Sequence, residues 1–416
     1  MYNLGVAMKM KKFLRVAAAA IALTATTQAQ AVNFILTDTG GAALGTNARK
    51  AFEIAAAYWS SVLTNNSTVR LNIGFSALGT GILGSTSSGT NIQLNSTYYA
   101  ALAANVNSTV DALAVANLRP LTPTGFDNPG VPNGVTAIGN ALNAAGTGYL
   151  DTATRVDGDG SQNNATISMN SSLGKAMGLT SDVFGNPLTA VDGGVTFSTL
   201  FGFDFDPTDG IDADKFDFIG VAIHEIGHAL GFRSGVDTID AYTSPGNGTA
   251  TASRAGALEN VTIETQLDLF RYSAPGQLDW STQGTPYFSI DGGATQLYGD
   301  SRFSTGVRNG DGRQASHWKD SPTFDQLGIM DPTYGRGQLG EITALDIAAF
   351  DTIGWRTSFD ANLNQAYSYT TVDAYRAFAG QATPVVPEPA TWLMMILGFG
   401  MVGYSLRRRS AKVAFA

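Results

Sequence analysis

The chain has 416 residues, no cysteine and a formal charge of −9. Without cysteine it has neither disulfides nor thiolate metal ligands, and its acidity excludes an electrostatic fit to nucleic acid or to an anionic membrane. The segments 1–31 and 390–416 hold eight of the 25 basic residues and no acid, so 17 basic face 34 acidic residues between them.

Residues 1–31 read as a secretory signal. Lys9, Lys11, Lys12 and Arg15 precede an apolar run over 16–23, and Ala29-Gln30-Ala31 is a small-residue cleavage site. The body then opens with a predicted strand at 33–37, an amphipathic helix at 46–63 and a second strand at 69–75. The helix carries Ala51, Ile54, Ala55, Tyr58, Val62 and Leu63 on one side. This β-α-β opening predicts a mixed sheet in an α+β fold. A helix at 102–118, strands at 165–170 and 194–200, and a folded stretch around 265–272 and 287–290 follow. The last core helix falls at 343–353, residues 371–386 read as a linker, and 32–370 form one domain.

Two acid clusters precede the central helix. One holds Asp204, Asp206, Asp209, Asp212 and Asp214; the other is Asp157-Gly158-Asp159-Gly160. Calcium favours several oxygen ligands, so a Ca2+ ion at Asp204, Asp206 and Asp209 is one expectation. A solvated turn with a helix N-cap is the other.

The chemistry concentrates in VAIHEIGHALGF, which uses two of the three histidines: His224, Glu225 and His228 form an HExxH run. On a helix, residues four apart share a face, so both imidazoles can reach one ion. Glu225 lies about 100° round the helix, where it reaches a water instead. Asp212, Asp214 and Asp217 mark the N-terminus, and Gly231 stands where a left-handed residue ends a helix. The helix is apolar nearly all round, so it is predicted to be buried. Buried polar groups need partners.

A catalytic zinc needs a third protein ligand. Position 234, where a compact motif would place it, is Ser234. The remaining histidine, His317, is the candidate by elimination, and Asp237 and Asp240 are carboxylate alternatives. Tyr334 either faces the metal as a phenol or packs beneath it.

HEIGHALGF, the later SHW and LGIMDPTY resemble the metzincin zinc proteases. The leishmanolysin-like branch is the nearest pattern, with a long insertion between the helix-ending glycine and the third histidine. The chain is also similar to bacterial metalloproteases with a C-terminal sorting tail, in which DLFRYS, FSIDGG, NGDGRQASHWKD, GIMDPT and ITALDIAAFDTIGW recur in this order. The likeness covers roughly 215–355. It implies a metzincin-like twisted mixed sheet with an active-site helix, a long insertion and a C-terminal helix. It implies zinc on His224, His228 and His317, Glu225 as general base, Gly231 as turn glycine and Met330 as turn methionine. In that family an edge strand above the cleft receives the extended substrate, and 165–170 is the candidate for it.

At the far end Pro387-Glu388-Pro389 precedes an uncharged apolar run over 390–406 and then Arg407-Arg408-Arg409. The run is long enough to span a bilayer, with the arginines held on the cytoplasmic side. This order resembles the PEP-CTERM sorting tails of Gram-negative bacteria, which an exosortase is thought to remove; a permanent anchor has the same composition. The expected protein is a secreted zinc endopeptidase that acts on protein or peptide substrates. It would be anchored transiently at the inner membrane before release to the surface or medium. The alternative is a non-enzymatic surface or matrix protein that keeps a metalloprotease fold for binding.

Overall fold

The computed structural model describes residues 31–126, 130–142, 149–243, 258–321, 323 and 325–381. Apart from Ala31, the expected signal segment lies outside these residues, as does the sorting tail. Among the described residues no helix is long and apolar enough to cross a membrane.

The predicted opening is present: β1 (Asn33–Gly40), α1 (Asn47–Val62) and β2 (Thr68–Ser76), with β1 and β2 parallel. Thr46 caps α1 by accepting the Arg49 amide. Two further strands join them, β3 (Gly84–Ser88) and β4 (Gly193–Ser198), in the order β1-β2-β4-β3. β4 runs parallel to β2 and antiparallel to β3, so the sheet is mixed and β3 is its edge.

The central helix α2 (Phe218–Leu230) lies against this sheet and α1. Its residues are buried except His228, which is half-buried. Burial follows from composition: every face of the helix carries apolar groups, and each finds a partner. Phe218 stacks on Phe197 of β4 at 4.0 Å and meets Phe52 of α1 edge-on at 5.1 Å. The indoles of Trp59 and Trp355 donate to the Ile223 and Leu230 carbonyls at 3.0 and 2.8 Å. Asp217 caps α2 at its start by accepting the Gly220 amide, and Gly231 ends it at φ 124°. That is the left-handed region, where a side chain is strained.

The insertion is folded. Its strands Arg271–Ala274, Gln277–Asp279 and Tyr287–Phe288 extend the hairpin of Ala137–Leu142 and Tyr149–Asp157 into a five-stranded sheet. The closing helix α3 (Ala344–Thr352) carries a capping box between Thr343 and Asp346.

Three expectations need correction. The single helix over 102–118 is two helices, Asn95–Asn105 and Thr109–Ala116, because Ser108 opens a new capping box with Asp111. The strand predicted at 165–170 exists as Thr166–Asn170, but it pairs with Thr90–Leu94 in a separate ribbon, so the edge strand over the central helix is β3. The stretch read as a linker over 371–386 is helical across Thr371–Gln381. Its Thr371 hydroxyl donates to buried Asp217 at 2.5 Å, and Ala374 is buried. Polar and alanine-rich composition concealed a helix that docks by a few contacts.

Candidate metal centre

α2 presents His224 and His228 one turn apart, and His317 meets them from a loop in the C-terminal part of the chain. The three Nε2 atoms form a triangle with sides of 3.0, 3.2 and 3.2 Å. Their other ring nitrogens are engaged by main-chain carbonyls: Nδ1 of His224 with Ile329 at 2.7 Å, of His228 with Phe232 at 2.7 Å, and of His317 with Gln314 at 3.2 Å. A carbonyl only accepts, so each Nδ1 carries the hydrogen and each Nε2 offers a lone pair. Three lone pairs aimed at one another repel, and they make no hydrogen bonds despite their spacing. A shared cation removes the repulsion. Zinc–nitrogen bonds of about 2.0–2.1 Å at tetrahedral angles separate ligand nitrogens by about 3.3 Å, close to the spacing here. Asp157, Asp159 and Glu259 are the other group of acids or histidines among the described residues that brings three ligand atoms within 4.8 Å of one another.

Burial keeps all three imidazoles neutral, the form a metal requires. It lowers His224 to about 4 and, with help from His224, lowers His228 to about 3; His317 is also pushed well down. Burial moves the Glu225 carboxyl the other way, up to about 7, against the hydrogen bond from Thr86.

Glu225 is held from the sheet edge. The Thr86 hydroxyl of β3 lies 2.7 Å from Glu225 Oε2 and 2.8 Å from its carbonyl. Gly84, two residues earlier on the same face, leaves room for that carboxylate: a Cβ there would stand 2.6 Å from Oε1. Ser88 donates to the His228 carbonyl at 3.3 Å. The Ser198 amide bonds the Leu83 carbonyl, and the Gly89 amide bonds the Asp192 carbonyl. By antiparallel alternation, odd-numbered residues of β3 therefore face β4, while the amides and carbonyls of Gly84, Thr86 and Ser88 point to the free edge.

The loop that carries His317 is pinned by acids. Asp237, weighed as a ligand, instead accepts from the Ala315 amide at 2.6 Å and the Ser316 amide at 3.1 Å. Asp240, the other alternative, accepts from the Arg308 and Asn309 amides. Ser234 fills the compact-motif position, where its hydroxyl donates to Asp268 at 2.5 Å and its amide donates to the Ser316 hydroxyl at 2.8 Å. Buried Asp346 joins the remaining parts. It accepts from the Trp318 indole at 2.9 Å, the Ile329 amide at 2.9 Å and the Met330 amide at 3.3 Å. The residue after His317 and the methionine turn are thus tied to the start of α3. Met330 is fully buried, with its sulfur so close to Gly227 that a Cβ there would stand 2.6 Å away.

Tyr334 packs its hydroxyl against Gly220 and Gly340, where a Cβ on either would come within 2.0 and 2.1 Å. The hydroxyl is buried and makes no hydrogen bond. The packing alternative describes this position, one turn before His224.

Asp204, Asp206 and Asp209 do not assemble into a three-ligand group. Asp204 accepts the amides of Asp206 and Asp212 at 3.0 Å, and Asp206 accepts from Thr208 and Tyr375, so these acids shape a turn. In the Asp157, Asp159 and Glu259 group, Arg155 already pairs with Asp157 at 2.9 Å and with Glu259.

Sequence reasoning found the three histidines and Glu225 but missed Thr86, Gly84 and Asp346. A serine- and threonine-rich strand carries no apolar alternation, and Asp346 reads as an ordinary N3 residue of a capping box.

Among known proteins, the PEP-CTERM protein-sorting motif matches residues 385–409. No curated protein and no solved structure matches the chain. The chain therefore carries a secreted protein's C-terminal sorting tail, of the kind that exosortase-like processing enzymes recognise.

Proposed function

We propose that the chain is a secreted zinc-dependent endopeptidase of metzincin type. The observation that carries this reading is the triangle of buried Nε2 lone pairs on His224, His228 and His317, with the Glu225 carboxylate beside it on the same helix. Those histidines would hold zinc, which supplies Lewis acidity to a scissile carbonyl and acidifies a water.

The chain's own groups account for the remaining work. Glu225 takes the proton of the attacking water and returns it to the leaving nitrogen. Thr86 and the bare face of Gly84 fix where that carboxylate stands. The free edge of β3 offers main-chain amides and carbonyls to an extended peptide, which would add as a further strand. Asp346 and Asp237 hold the segment that carries the third imidazole. An N-terminal signal over 1–31 and removal of the tail by an exosortase complete the proposed route out of the cell.

The test is metal analysis of the purified protein together with a peptide-library digest. One zinc per chain with cleavage that a chelator abolishes and zinc restores supports the reading. Purified protein that neither binds zinc nor cleaves any peptide would overturn it.

A further inference from the structure

We propose that Asn95, Asn133, Asn164 and Glu264 form an internal calcium site, built from none of the residues of the histidine centre.

The four come from four separate segments. Asn95 opens the helix Asn95–Asn105, Asn133 lies on the strand Pro132–Gly134, and Asn164 lies on the one-turn helix Gln162–Ala165. Glu264 immediately precedes the turn that begins at Thr265. They meet at one atom: Asn95 Nδ2 stands 3.2 Å from the Asn133 carbonyl, 2.9 Å from the Asn164 carbonyl and 3.1 Å from Glu264 Oε2. An amide nitrogen has two hydrogens, so three acceptors are one too many.

The side chains of these four residues are buried and largely unserved. Asn95, Asn133 and Asn164 are 0 % exposed and Glu264 is 1 % exposed. Neither side-chain atom of Asn133 or of Asn164 has a partner, and the same holds for Asn95 Oδ1 and Glu264 Oε1. Among the described residues no lysine or arginine pairs with Glu264. Burial first, and then the Asp268 charge, raise its proton affinity. An interior that leaves buried oxygens unsatisfied beside a lone carboxylate is costly, and a hard cation answers the oxygens gathered at Asn95.

The donor chemistry selects the ion. The groups placed at the meeting point are the Asn95 amide, the Glu264 carboxylate and the main-chain carbonyls of Asn133 and Asn164. With the Asn95 amide turned over all are oxygens, and a bidentate carboxylate with bound water completes the 6–8 that calcium takes. Magnesium seldom sits in an all-protein cage, and zinc favours nitrogen and sulfur. Turning the Asn95 amide over replaces its nitrogen by an oxygen at the meeting point, the rearrangement that an ion requires. The tail marks an exported chain.

The experiment is equilibrium dialysis of the purified protein against millimolar CaCl2, followed by metal analysis and thermal melting. We expect one calcium per chain and a melting temperature raised by about 5 °C over calcium-free protein. Glu264→Gln should remove both effects, whereas Asp159→Asn, in the other acid group, should remove neither. If Glu264→Gln fails to fold, Asn95→Asp decides the matter: a second carboxylate at the meeting point should tighten calcium binding about tenfold and lower melting without calcium. Wild-type protein without bound calcium overturns the proposal, and so does equal calcium content in the wild type and Glu264→Gln. A Glu264→Gln protein that melts higher than wild type, with no calcium response in either, would mean that Glu264 is simply protonated.

Discussion

Gly84→Ala separates the placement of Glu225 from the stability of the fold. The added Cβ would stand 2.6 Å from Glu225 Oε1, 2.9 Å from Cγ and 3.0 Å from Cδ. Ordinary contact begins near 3.4 Å, so the carboxylate must move by about 0.5–1 Å. The moving group is the end of a flexible side chain, so the fold loses little. Alanine in a strand also regains about 0.5–1 kcal/mol of backbone entropy relative to glycine. Placement suffers instead, because the 2.7 Å bond from Thr86 to Oε2 cannot follow such a shift unchanged. A misplacement of about 1 Å costs on the order of 100-fold in rate. Steady-state cleavage of a fluorogenic peptide should therefore show kcat reduced by about 10- to 100-fold. Zinc content and melting temperature should match the wild type. Unchanged kcat at full zinc occupancy would refute the reasoning, because Glu225 would then not be the group whose position sets the rate.

His317→Ala removes one corner of the triangle; metal analysis should show zinc lost while circular dichroism shows most of the fold retained, and stoichiometric zinc in that variant would point to another ligand. Buried Asp351, raised to about 8 chiefly by burial, is neutral in the folded chain where it would ionise near 4 in the unfolded one. Its contribution is thus fully present below about pH 4 and is lost as pH rises through about 8. The melting temperature of the wild type should fall across that window more steeply than that of Asp351→Asn, and parallel curves would count against this assignment. Truncation at about residue 383 lies beyond the docked helix Thr371–Gln381. It should give a soluble protein with full zinc and peptidase activity, and a large loss of either would place essential structure further along the chain.

The parts of the fold legible in the sequence are those written in apolar periodicity. α1 was readable because Ala51, Ile54, Ala55, Tyr58 and Val62 sit at helical spacing, and α2 because it is apolar on all sides. The HExxH spacing and the scarcity of histidine fixed the candidate ligands, and the structure brings all three together. β3 was invisible because GSTSS has no apolar residue, and its edge position comes from pairing with β4, which no local pattern encodes. The roles of Asp237 and Asp346 were hidden for a related reason. A carboxylate that gathers main-chain amides from segments 78 and 17 residues away looks, in sequence, like any other acid. The helix after residue 371 was missed because its burial rests on a few positions such as Thr371 and Ala374.

The most direct test of the central claim compares the wild type with Glu225→Gln, measuring zinc content and peptide cleavage on the same preparations. The variant keeps the size of the side chain and its contact with Thr86 but removes the proton acceptor. One zinc per chain in both proteins is expected, with cleavage in the variant lower by about 100-fold or more. Equal cleavage by the two zinc-loaded proteins would contradict the account.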